Sequence, residues 1–274
     1  MKTAYSGVEG AFANIAARKI FPEAEMMPYP GFGVAYEAVE QGACDTVVLP
    51  IENCYAGDVG QVMDLIFEGS LYMHGIYSLP IRQNLLAMPG ARMEDITHVI
   101  SHPQALEQCG GFIRQHGLTQ EQASNTAVAS KYVSELGDIH TASIGSSENA
   151  RLYGLNILAP DINEMSNNST KFVVLSKEEK NITPSEREEL ALMFTLINAP
   201  GTLARAITVF GEHDYDMRLI HSRPLKHHQW HYYFYIEAVG DGRGGNREKM
   251  LDALRENCEM LKVLGCFEEI REIR

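Results

Sequence analysis

Two hydrophobic patterns alternate along the first two thirds of the chain. Short, nearly continuous apolar runs such as "DTVVLPIE" (residues 45–52) are typical of strands buried on both faces of a parallel sheet. Stretches with small and apolar residues at helical spacing, such as "GAFANIAARKIF" (residues 10–21), predict helices. Because strands and helices alternate in this way up to about residue 176, we expect an α/β domain with mainly parallel sheets.

A charged, proline-containing stretch, "SKEEKNITPSEREEL" (residues 176–190), interrupts this pattern and predicts a linker. The remaining residues predict, in order, a strand, a helix, two strands, a helix and a strand. The first of these helices, "PGTLARAITVFGEHD" (residues 200–214), has Leu203 and Phe210 on one face. The order βαββαβ is the ferredoxin-like arrangement, so we expect a second, smaller domain.

Composition narrows the class of protein. The net charge of −13, from 23 basic and 36 acidic residues, disfavours nucleic acid or an anionic membrane as the main partner. No apolar run approaches the roughly 18–20 residues needed to cross a bilayer. The five cysteines are scattered and never form Cys-x-x-Cys, which argues against a disulfide framework and a zinc site. We therefore expect a cytoplasmic protein.

Two local patterns suggest ligands but have simpler explanations. The segment "GDGRGG" (residues 240–245) matches a dinucleotide-binding motif, but it follows a mixed, aromatic strand, and Asp241 would face a pyrophosphate. We expect a surface loop there. We also predict no metal site. His227, His228 and His231 fall in a predicted hairpin turn and lack an acidic or thiol partner at a useful spacing, whereas His98 and His102 would need a helix to face the same way and "THVISH" is β-rich.

Five polar clusters occur where predicted strands end and helices begin, which is where open α/β sheets bind ligands. Each cluster offers hydroxyls, amides or the free N–H groups of a helix N-terminus, all of which can hold a carboxylate. Taken singly, each is explained as a helix cap, but five together favour one shared pocket. The candidate binding residues are Ser6, Glu9, Gly10, Ala11, Phe12, Asn53, Cys54, Ser101, His102, Gln104, Ser124, Asn125, Thr126, Ala127 and Phe172, with Glu52, Thr170 and Lys171 in the same clusters.

An ordered series of longer motifs runs through the same region. The motifs are "GVEGAFANIAA", "VLPIENCYAGDVGQVMDLI", "SHPQALEQC", "SNTAVAS", "ASIGSSENARLYGLNILAPDIN" and "NSTKFVVL". In order and spacing this series resembles the prephenate dehydratase family. The C-terminal segments "NAPGTLARAITVF" and "HSRPL" are similar to the ACT regulatory domain that accompanies the family's catalytic domain.

This resemblance implies a two-lobed catalytic domain of the periplasmic-binding-protein type (type II), with the substrate between its lobes. It also implies that the ferredoxin-like part is an ACT domain. The expected bounds are 1–177 for the catalytic domain, about 1–78 and 158–177 for lobe one, about 79–157 for lobe two, 178–188 for the linker and 189–274 for the ACT domain.

The family's reaction turns prephenate into phenylpyruvate in L-phenylalanine biosynthesis, and it needs neither a cofactor nor a metal. The resemblance further implies that phenylalanine binds the ACT domain as a feedback regulator, in a homodimer or homotetramer. The residues expected to bind phenylalanine are Asn198, Ala199, Pro200, Gly201, Thr202, Leu203, His221, Ser222, Arg223 and Pro224.

Three residues are candidates for the chemistry. We expect Thr170 to donate a hydrogen bond to the departing hydroxyl, as the matching threonine is thought to do in the family. Lys171 is expected to grip the pyruvyl carboxylate, unless its side chain extends into solvent at the start of a strand. Glu52 is a candidate proton donor, or else a residue that orients Asn53 or caps a helix. Phe12 and Phe172 are expected as pocket walls or as plain core.

Two positions depart from the family pattern. Lys171 replaces the usual arginine and loses the planar fork that arginine offers a carboxylate. His221 replaces the usual glutamate of Glu-Ser-Arg-Pro, which could alter feedback. Three questions stay open: whether the substrate is prephenate or its amino analogue arogenate, whether the chain is instead a non-catalytic aromatic-acid sensor, and whether it belongs to a fusion with chorismate mutase.

Overall fold

The computed structural model describes residues 1–180, 183–226, 231–267 and 270–273. The strands of this part of the chain are β1 (Lys2–Ser6), β2 (Glu25–Tyr29), β3 (Thr46–Asn53), β4 (Gly57–Asp58), β5 (Tyr72–Pro80), β6 (Asn84–Ala87), β7 (His98–Ser101), β8 (Thr119–Gln122), β9 (Thr141–Gly145), β10 (Asn156–Ala159), β11 (Ser169–Ser176), β12 (Glu188–Thr195), β13 (Asp216–Pro224), β14 (Tyr232–Gly240), β15 (Met260–Phe267) and β16 (Arg271–Glu272). The α-helices are α1 (Phe12–Ile20), α2 (Phe32–Glu40), α3 (Gly60–Glu68), α4 (Pro103–Gln108), α5 (Gly110–Gln115), α6 (Thr126–Leu136), α7 (Ser147–Tyr153), α8 (Thr202–Glu212) and α9 (Asn246–Asn257).

Within the described residues the strands form three sheets. The first has the order β16-β5-β11-β3-β1-β2, with β4 paired to β3; the second has the order β10-β6-β9-β7-β8; the third has the order β13-β14-β12-β15. Contacts divide the chain into two compact units. The first unit is Met1–Met63, Tyr77–Phe172 and Glu272–Arg274, and the second is Asp64–Ile76 and Val173–Arg271.

The first sheet has the buried parallel strands that the apolar runs predict. Strand β1 pairs in parallel with both β2 and β3. In β3 the side chains of Val47, Val48 and Leu49 are fully buried, because helices cover both faces of a sheet built by parallel crossovers. The carboxyl ends of these parallel strands lie at the same edge, which brings Ser6 of β1 and Asn53 of β3 to one side of the sheet.

The second sheet is covered on both faces. One core packs Leu85 and Val99 of the sheet against the helices α4 and α5. The other packs Leu86 and Ile100 with residues of α6 and α7. Successive residues of β6 and β7 thus point to opposite faces, as the period of a strand requires. The sheet and its helices form the second of two lobes within the first unit.

The chain passes between these two lobes along adjacent segments. The backbone N–H of Ile81, just after β5, donates to the carbonyl of Asn168, just before β11, at 2.8 Å. At the other end of the same strands, a ring nitrogen of His74 lies 2.7 Å from Oγ of Ser176. Strands β5 and β11 therefore run in opposite directions, and residue numbers increase along one as they decrease along the other.

The third sheet belongs to the second unit and confirms the βαββαβ order. Strand β12 pairs antiparallel with β14 and β15, and β13 pairs antiparallel with β14. Helices α8 and α9 pack on one face, where Leu192, Phe194, Phe210 and Leu254 are almost fully buried. This strand order is that of the ferredoxin-like arrangement.

Three sequence interpretations can be compared with these elements. The "GDGRGG" segment runs from the last residue of β14 into a short 3-10 helix (Arg243–Gly245), and the Asp241 carboxylate accepts a hydrogen bond from the backbone N–H of Arg243 at 3.0 Å. Of the suggestive histidines, His227 and His228 lie outside the described residues. No helix in the described part of the chain is long and apolar enough to span a membrane. The hydrophobic pattern did not predict β2 and α2, which flank a loop at Pro30–Gly31.

Candidate active site

A cleft of about 940 Å³ lies within the first unit, between its two lobes. That volume is within the usual range for a small-molecule site. Many of the residues that the polar clusters predicted lie on its walls. They are Ser6, Ala11, Phe12, Asn53, His102, Gln104, Ser124, Asn125, Thr126, Thr170 and Phe172.

Asn53 is held at the end of β3 by hydrogen bonds at both ends of its side-chain amide. Its Oδ1 accepts from the backbone N–H groups of Tyr55 and Ala56, each at 3.0 Å, and from Nε2 of Gln104 at 3.1 Å. These bonds fix which end is the acceptor and leave Nδ2 as the donor. That Nδ2 lies 2.9 Å from Oγ1 of Thr170.

The direction of this bond decides what the Thr170 hydroxyl can do. Because Oγ1 accepts from Asn53, its own hydrogen is available for another acceptor. Thr170 lines the cleft, so that acceptor can be a bound molecule. The pair therefore presents an oriented hydrogen-bond donor to the cleft, which is the device that stabilises negative charge developing on an oxygen.

A buried amide supports the pair from behind. Oδ1 of Asn168 accepts from Asn53 Nδ2 at 3.0 Å, and its Nδ2 donates to Oε1 of Gln108 at 2.9 Å. Asn168 is 4% exposed, so these bonds are shielded from competing water. The chain Gln108–Asn168–Asn53–Thr170 thus links helix α4 of one lobe to strands β3 and β11 of the other.

Four helices begin at the cleft. The first residues or N-caps of α1, α2, α4 and α6 lie on its walls, including Phe12, Gly31, His102 and Asn125. The first N–H groups of a helix have no partner within the helix, and the helix dipole places partial positive charge there. Several such ends directed at one space favour a bound anion.

Charged side chains are missing from the cleft walls, as far as the described residues define them. The expected anion grip, Lys171, is not in the cleft: its Nζ lies 2.9 Å from Oε2 of Glu52, and both side chains are about three-quarters buried. The physical reason is the period of a strand. Thr170 and Phe172 point into the cleft, so Lys171 between them points to the other face of β11. Glu52, the candidate proton donor, is on that other face too.

The ion pair of Lys171 and Glu52 is close but poorly aligned. The 2.9 Å separation satisfies an ion pair, whereas Oε2 of Glu52 accepts no hydrogen bond of normal geometry from the described residues. We take the pair as an electrostatic contact between β3 and β11, on the faces of the two strands that point away from the cleft. It has no direct access to a molecule in the cleft.

Five further predicted residues also lie away from the cleft lining. Ser101 is fully buried and donates to the carbonyl of Ile144 at 2.7 Å, so its hydroxyl is used in a hydrogen bond within the second sheet. Gly10 accepts at its carbonyl from Nδ2 of Asn149 at 2.9 Å. Of the other three, Glu9 pairs with Arg18 at the surface, and Ala127 is fully buried in the core. The Sγ of Cys54 lies 3.4 Å from the carbonyl of Asn167 in a neighbouring segment.

His102 lines the cleft as a neutral imidazole. Its Nδ1 accepts from the backbone N–H of Gln104 at 3.3 Å, which caps helix α4. Burial lowers the pKa of His102 below its ordinary value. The ring is therefore uncharged near neutral pH and can act as a hydrogen-bonding wall, not as a fixed cation.

Sequence reasoning missed the loop before α2, the first turn of α2 and three glutamines. Pro30–Val34 contributes backbone and apolar side chains, and a search for polar clusters does not detect such residues. A glycine on each side of Phe32 just before an apolar helical pattern was the available signal. The missed glutamines on the cleft walls are Gln61, Gln83 and Gln108.

In the second unit, Arg223 of the "HSRP" segment is bound to an acid of the same unit. Its Nε lies 3.2 Å from Oδ1 of Asp64 and 3.0 Å from the hydroxyl oxygen of Tyr233. Tyr233 donates to the same Asp64 oxygen at 2.7 Å, and Nζ of Lys226 lies 2.9 Å from Oδ2. His221 and Arg223 share one face of β13 and Ser222 the other, so the segment does not present all its side chains to one side.

The surroundings of Asp64 favour its charged form. Burial acts to raise its pKa, but hydrogen bonds from Tyr233, Lys226 and Arg223 outweigh burial, and the pKa lies below the ordinary value. Burial, and after it the hydrogen bond to Asp64, raises the pKa of Tyr233. The ring of Tyr233 stacks on Phe67, with centroids 4.3 Å apart.

The other predicted regulatory segment is the loop into α8. Gly201 adopts a left-handed conformation with φ of 83°, and Thr202 donates from Oγ1 to the carbonyl of Ala199 at 2.9 Å. The remaining residues of this prediction, Asn198, Pro200 and Leu203, lie in the same loop and at the start of the helix. The structure thus shows a glycine-dependent helix start here.

Comparison with known proteins identifies the family. The family model for prephenate dehydratase matches residues 3–180. The arogenate dehydratase/prephenate dehydratase 2 of Arabidopsis thaliana is 34% identical over 278 residues, which cover 97% of this chain and 72% of that protein. A prephenate dehydratase from Arthrobacter aurescens, solved in complex with L-Phe, has a TM-score of 0.89 at 25% identity, covering 98% of this chain and 90% of that one.

One solved structure with the same TM-score is named for a different activity. It is a novel type of quorum quenching acylase, with a TM-score of 0.89 and 26% identity over 98% of both chains. The shared fold therefore does not by itself fix the reaction. The family model, in contrast, covers well over half of the chain and includes Asn53, Asn168 and Thr170. The chain belongs to the prephenate dehydratase family, a family of lyases.

Proposed function

We propose that this chain converts prephenate to phenylpyruvate in the cleft of the first unit, with Thr170 as the hydrogen-bond donor to the leaving hydroxyl. The observation that carries the proposal is the contact of Asn53 Nδ2 with Oγ1 of Thr170 in a cleft where four helices begin. The contact supplies an oriented donor, and the helix ends supply positive potential for a dianionic substrate.

The reaction can be followed bond by bond. The bond from the ring to its carboxylate breaks, carbon dioxide leaves, and the electron pair enters the ring. The carbon–oxygen bond at the opposite ring carbon breaks, and the departing hydroxide takes one solvent proton and leaves as water. One prephenate dianion and one proton thus give one phenylpyruvate anion, one carbon dioxide and one water. The ring becomes aromatic. Thr170 lowers the barrier by donating a hydrogen bond as negative charge develops on that oxygen.

The absence of charged side chains from the described cleft walls suits this chemistry. A fixed cation beside the ring carboxylate would stabilise the charge that has to disappear as carbon dioxide forms. Helix N-termini and amides can bind the side-chain carboxylate without that penalty. Binding by partial charges therefore replaces the lysine grip that the sequence predicted.

The βαββαβ part of the chain is proposed to be an ACT domain through which phenylalanine gives feedback. The ferredoxin-like strand order and the likeness to a prephenate dehydratase solved with L-Phe support this assignment. The functional bounds 1–177, 178–188 and 189–274, a homodimer or homotetramer, and a cytoplasmic location belong to the same proposal. Added phenylalanine that changes neither activity nor oligomeric state would contradict the ACT assignment.

Arogenate is the alternative substrate, because a relative named for both activities matches 97% of this chain. A non-catalytic sensor is the alternative class. Acyl transfer is less well supported, since an acylase needs an activated nucleophile and Oγ1 of Thr170 lies against an amide donor, Asn53.

The direct test is turnover. Purified chain is mixed with prephenate and phenylpyruvate is followed by its absorbance in base; arogenate is tested in parallel by chromatography of phenylalanine. Thr170→Val keeps the size of the side chain and removes the hydroxyl, so we expect turnover to fall on the order of 100- to 1000-fold. Thr170→Ser keeps the hydroxyl and should retain much more activity. Near-normal turnover by Thr170→Val would exclude the proposed role, and no turnover by wild type would favour the sensor.

A further inference from the structure

Gln83 stands out among the cleft residues because its side-chain carbonyl is unpaired. The residue is 3% exposed and lies on the cleft wall. Its backbone is fully used: the N–H donates to Oδ1 of Asn163 at 3.2 Å, and the carbonyl accepts from the N–H of Ile162 at 2.8 Å. Its Oε1, in contrast, is shielded from solvent and accepts no hydrogen bond from the described residues.

An unpaired buried carbonyl is unfavourable, and native proteins rarely keep one without a reason. In this cleft other polar side chains, such as Asn53 and Asn125, are paired through their amide oxygens. The amide of Gln83 can turn about its last torsion at low cost, because such torsions have broad energy wells. A bound molecule could therefore satisfy this amide where the protein does not.

The position of Gln83 along the crossing segments defines which end of a ligand it meets. Ile81 lies opposite Asn168, and the two segments run in opposite directions. Thr170 is two residues beyond Asn168 toward one lobe, and Gln83 is two residues beyond Ile81 toward the other. At about 3.3 Å per residue, their Cα atoms are separated by roughly 13 Å along the segments. With both side chains directed at the cleft, a molecule the size of prephenate fits between them.

This separation assigns the two ends of the substrate. If Thr170 binds the leaving hydroxyl, Gln83 meets the opposite end, where the ring carries its three-carbon side chain. Prephenate and arogenate differ only there: prephenate has a keto oxygen, which accepts hydrogen bonds, and arogenate has an ammonium group, which donates them. A primary amide offers both a carbonyl and an NH₂ group, and rotation exchanges them.

We propose that Gln83 is the residue that recognises the α-substituent of the substrate side chain, donating to the keto oxygen of prephenate or accepting from the ammonium group of arogenate. This inference rests on the proposed function, because it takes the leaving hydroxyl to lie at Thr170. It goes beyond that function by naming the residue that recognises the α-substituent, which is the group in which the two substrates differ.

The test uses ring-reduced analogues, which cannot become aromatic and so report binding alone. Three are compared by calorimetry: one with a pyruvyl side chain, one with an alanyl side chain, and one with a propanoate side chain that lacks any α-substituent. Gln83→Met replaces the amide by an apolar group of similar size, and Gln61→Met makes the same change elsewhere on the cleft wall. Turnover of prephenate and arogenate by wild type is measured beside them.

We expect Gln83→Met to weaken binding of the pyruvyl and alanyl analogues by roughly 5- to 20-fold, with the propanoate analogue within about twofold of wild type. Gln61→Met should not change the preference among the three. Thermal stability of Gln83→Met should not fall, because the lost carbonyl accepts no hydrogen bond from the described part of the chain. A purely structural role would instead lower stability and weaken all three analogues alike.

Three outcomes would overturn the inference. In the first, Gln83→Met weakens binding of all three analogues equally. In the second, it changes binding of none of them. In the third, Gln61→Met weakens the pyruvyl and alanyl analogues as much as Gln83→Met does. If wild type turns over prephenate or arogenate while one of these outcomes is found, the proposed function stands and only the role of Gln83 fails. If wild type neither turns over nor binds any of the compounds, both fail together.

Discussion

The side-chain amide of Asn53 donates to Oγ1 of Thr170 across 2.9 Å, while its carbonyl end is fixed by backbone N–H groups of the following turn. One residue thus shapes the turn after β3 and orients the hydroxyl at the start of β11. Two segments more than a hundred residues apart in the chain depend on it. The role of the donor end of this amide can be tested apart from that of the acceptor end by mutation.

Asn53→Asp keeps the acceptor end and removes the donor end. The new carboxylate can still accept from the turn, but it can also accept the hydrogen of Thr170 and withdraw it from the substrate. We expect turnover to fall on the order of 100-fold, with a smaller change in the Michaelis constant. Steady-state kinetics on prephenate and a thermal melt measure this. A folded variant with normal turnover would show that Thr170 does not depend on Asn53.

Lys171→Met should leave the Michaelis constant for prephenate within about threefold of wild type, because the ammonium points away from the cleft toward Glu52. Kinetic measurement at low salt is the most sensitive check, since long-range attraction is strongest there. A large rise in the Michaelis constant would restore the anion-grip role. Glu52→Gln serves as the matched control, because it removes the other half of the same pair.

Asp64→Asn should destabilise the second unit by about 1–3 kcal/mol at neutral pH, since it removes the negative charge that pairs with Arg223 and Lys226 and leaves only one of the two acceptor oxygens. The folded pKa of Asp64 lies below its unfolded value, so between the two values the unfolded state binds more protons. The stability contributed by Asp64 is therefore present above the unfolded pKa and lost as pH falls through the folded value.

Melting curves of both proteins at a series of pH values below neutral check this dependence. The gap between wild type and Asp64→Asn should narrow as the pH falls into the acid range. Asp252→Asn is the control, because Asp252 is an exposed partner of Arg255 on α9 and should matter little. A gap that stays constant with pH would mean that the charge of Asp64 is not what stabilises the unit.

Gly201→Ala should destabilise the loop into α8 by about 1–2 kcal/mol, because φ of 83° is strained for any residue with a Cβ atom. The new Cβ would also lie 3.3 Å from the Arg205 guanidinium. Gly211→Ala, near the end of the same helix, meets nothing within 4 Å and should instead stabilise by about 0.5–1 kcal/mol. Denaturant unfolding of both variants measures the contrast. Equal effects would argue against the strained loop.

Much of the fold was predictable because the spacing of apolar residues along the chain indicates which segments form strands and which form helices. The runs around β3, α1, α6 and α8 have clear strand or helix periods, and all four elements form where the pattern predicts them. The stretch containing β2 and α2 was not assigned, because the proline and glycines around Phe32 obscure its pattern. Pairing partners such as Ile81 and Asn168 depend on contacts distant in sequence, which no local pattern contains.

The site was predictable in part, and its main error has a simple cause. Thr170, Lys171 and Phe172 were all assigned to the pocket, although three consecutive residues of a strand cannot share one face. Because side chains alternate between the two faces of a strand, either Lys171 or its neighbours Thr170 and Phe172 can face the pocket, but not all three. The unpaired carbonyl of Gln83 has no signature in sequence at all, because being unpaired is a property of its surroundings.

The hydrogen bond between Ile81 and Asn168 has a consequence for protein engineering. It places the two ends of the intervening segment, residues 82–167, side by side, and that segment contains a complete sheet with helices on both faces. A segment with adjacent ends and its own core behaves as an inserted cassette. It should fold when expressed alone, and exchange for the corresponding cassette of a relative should yield chimaeric enzymes with new selectivity.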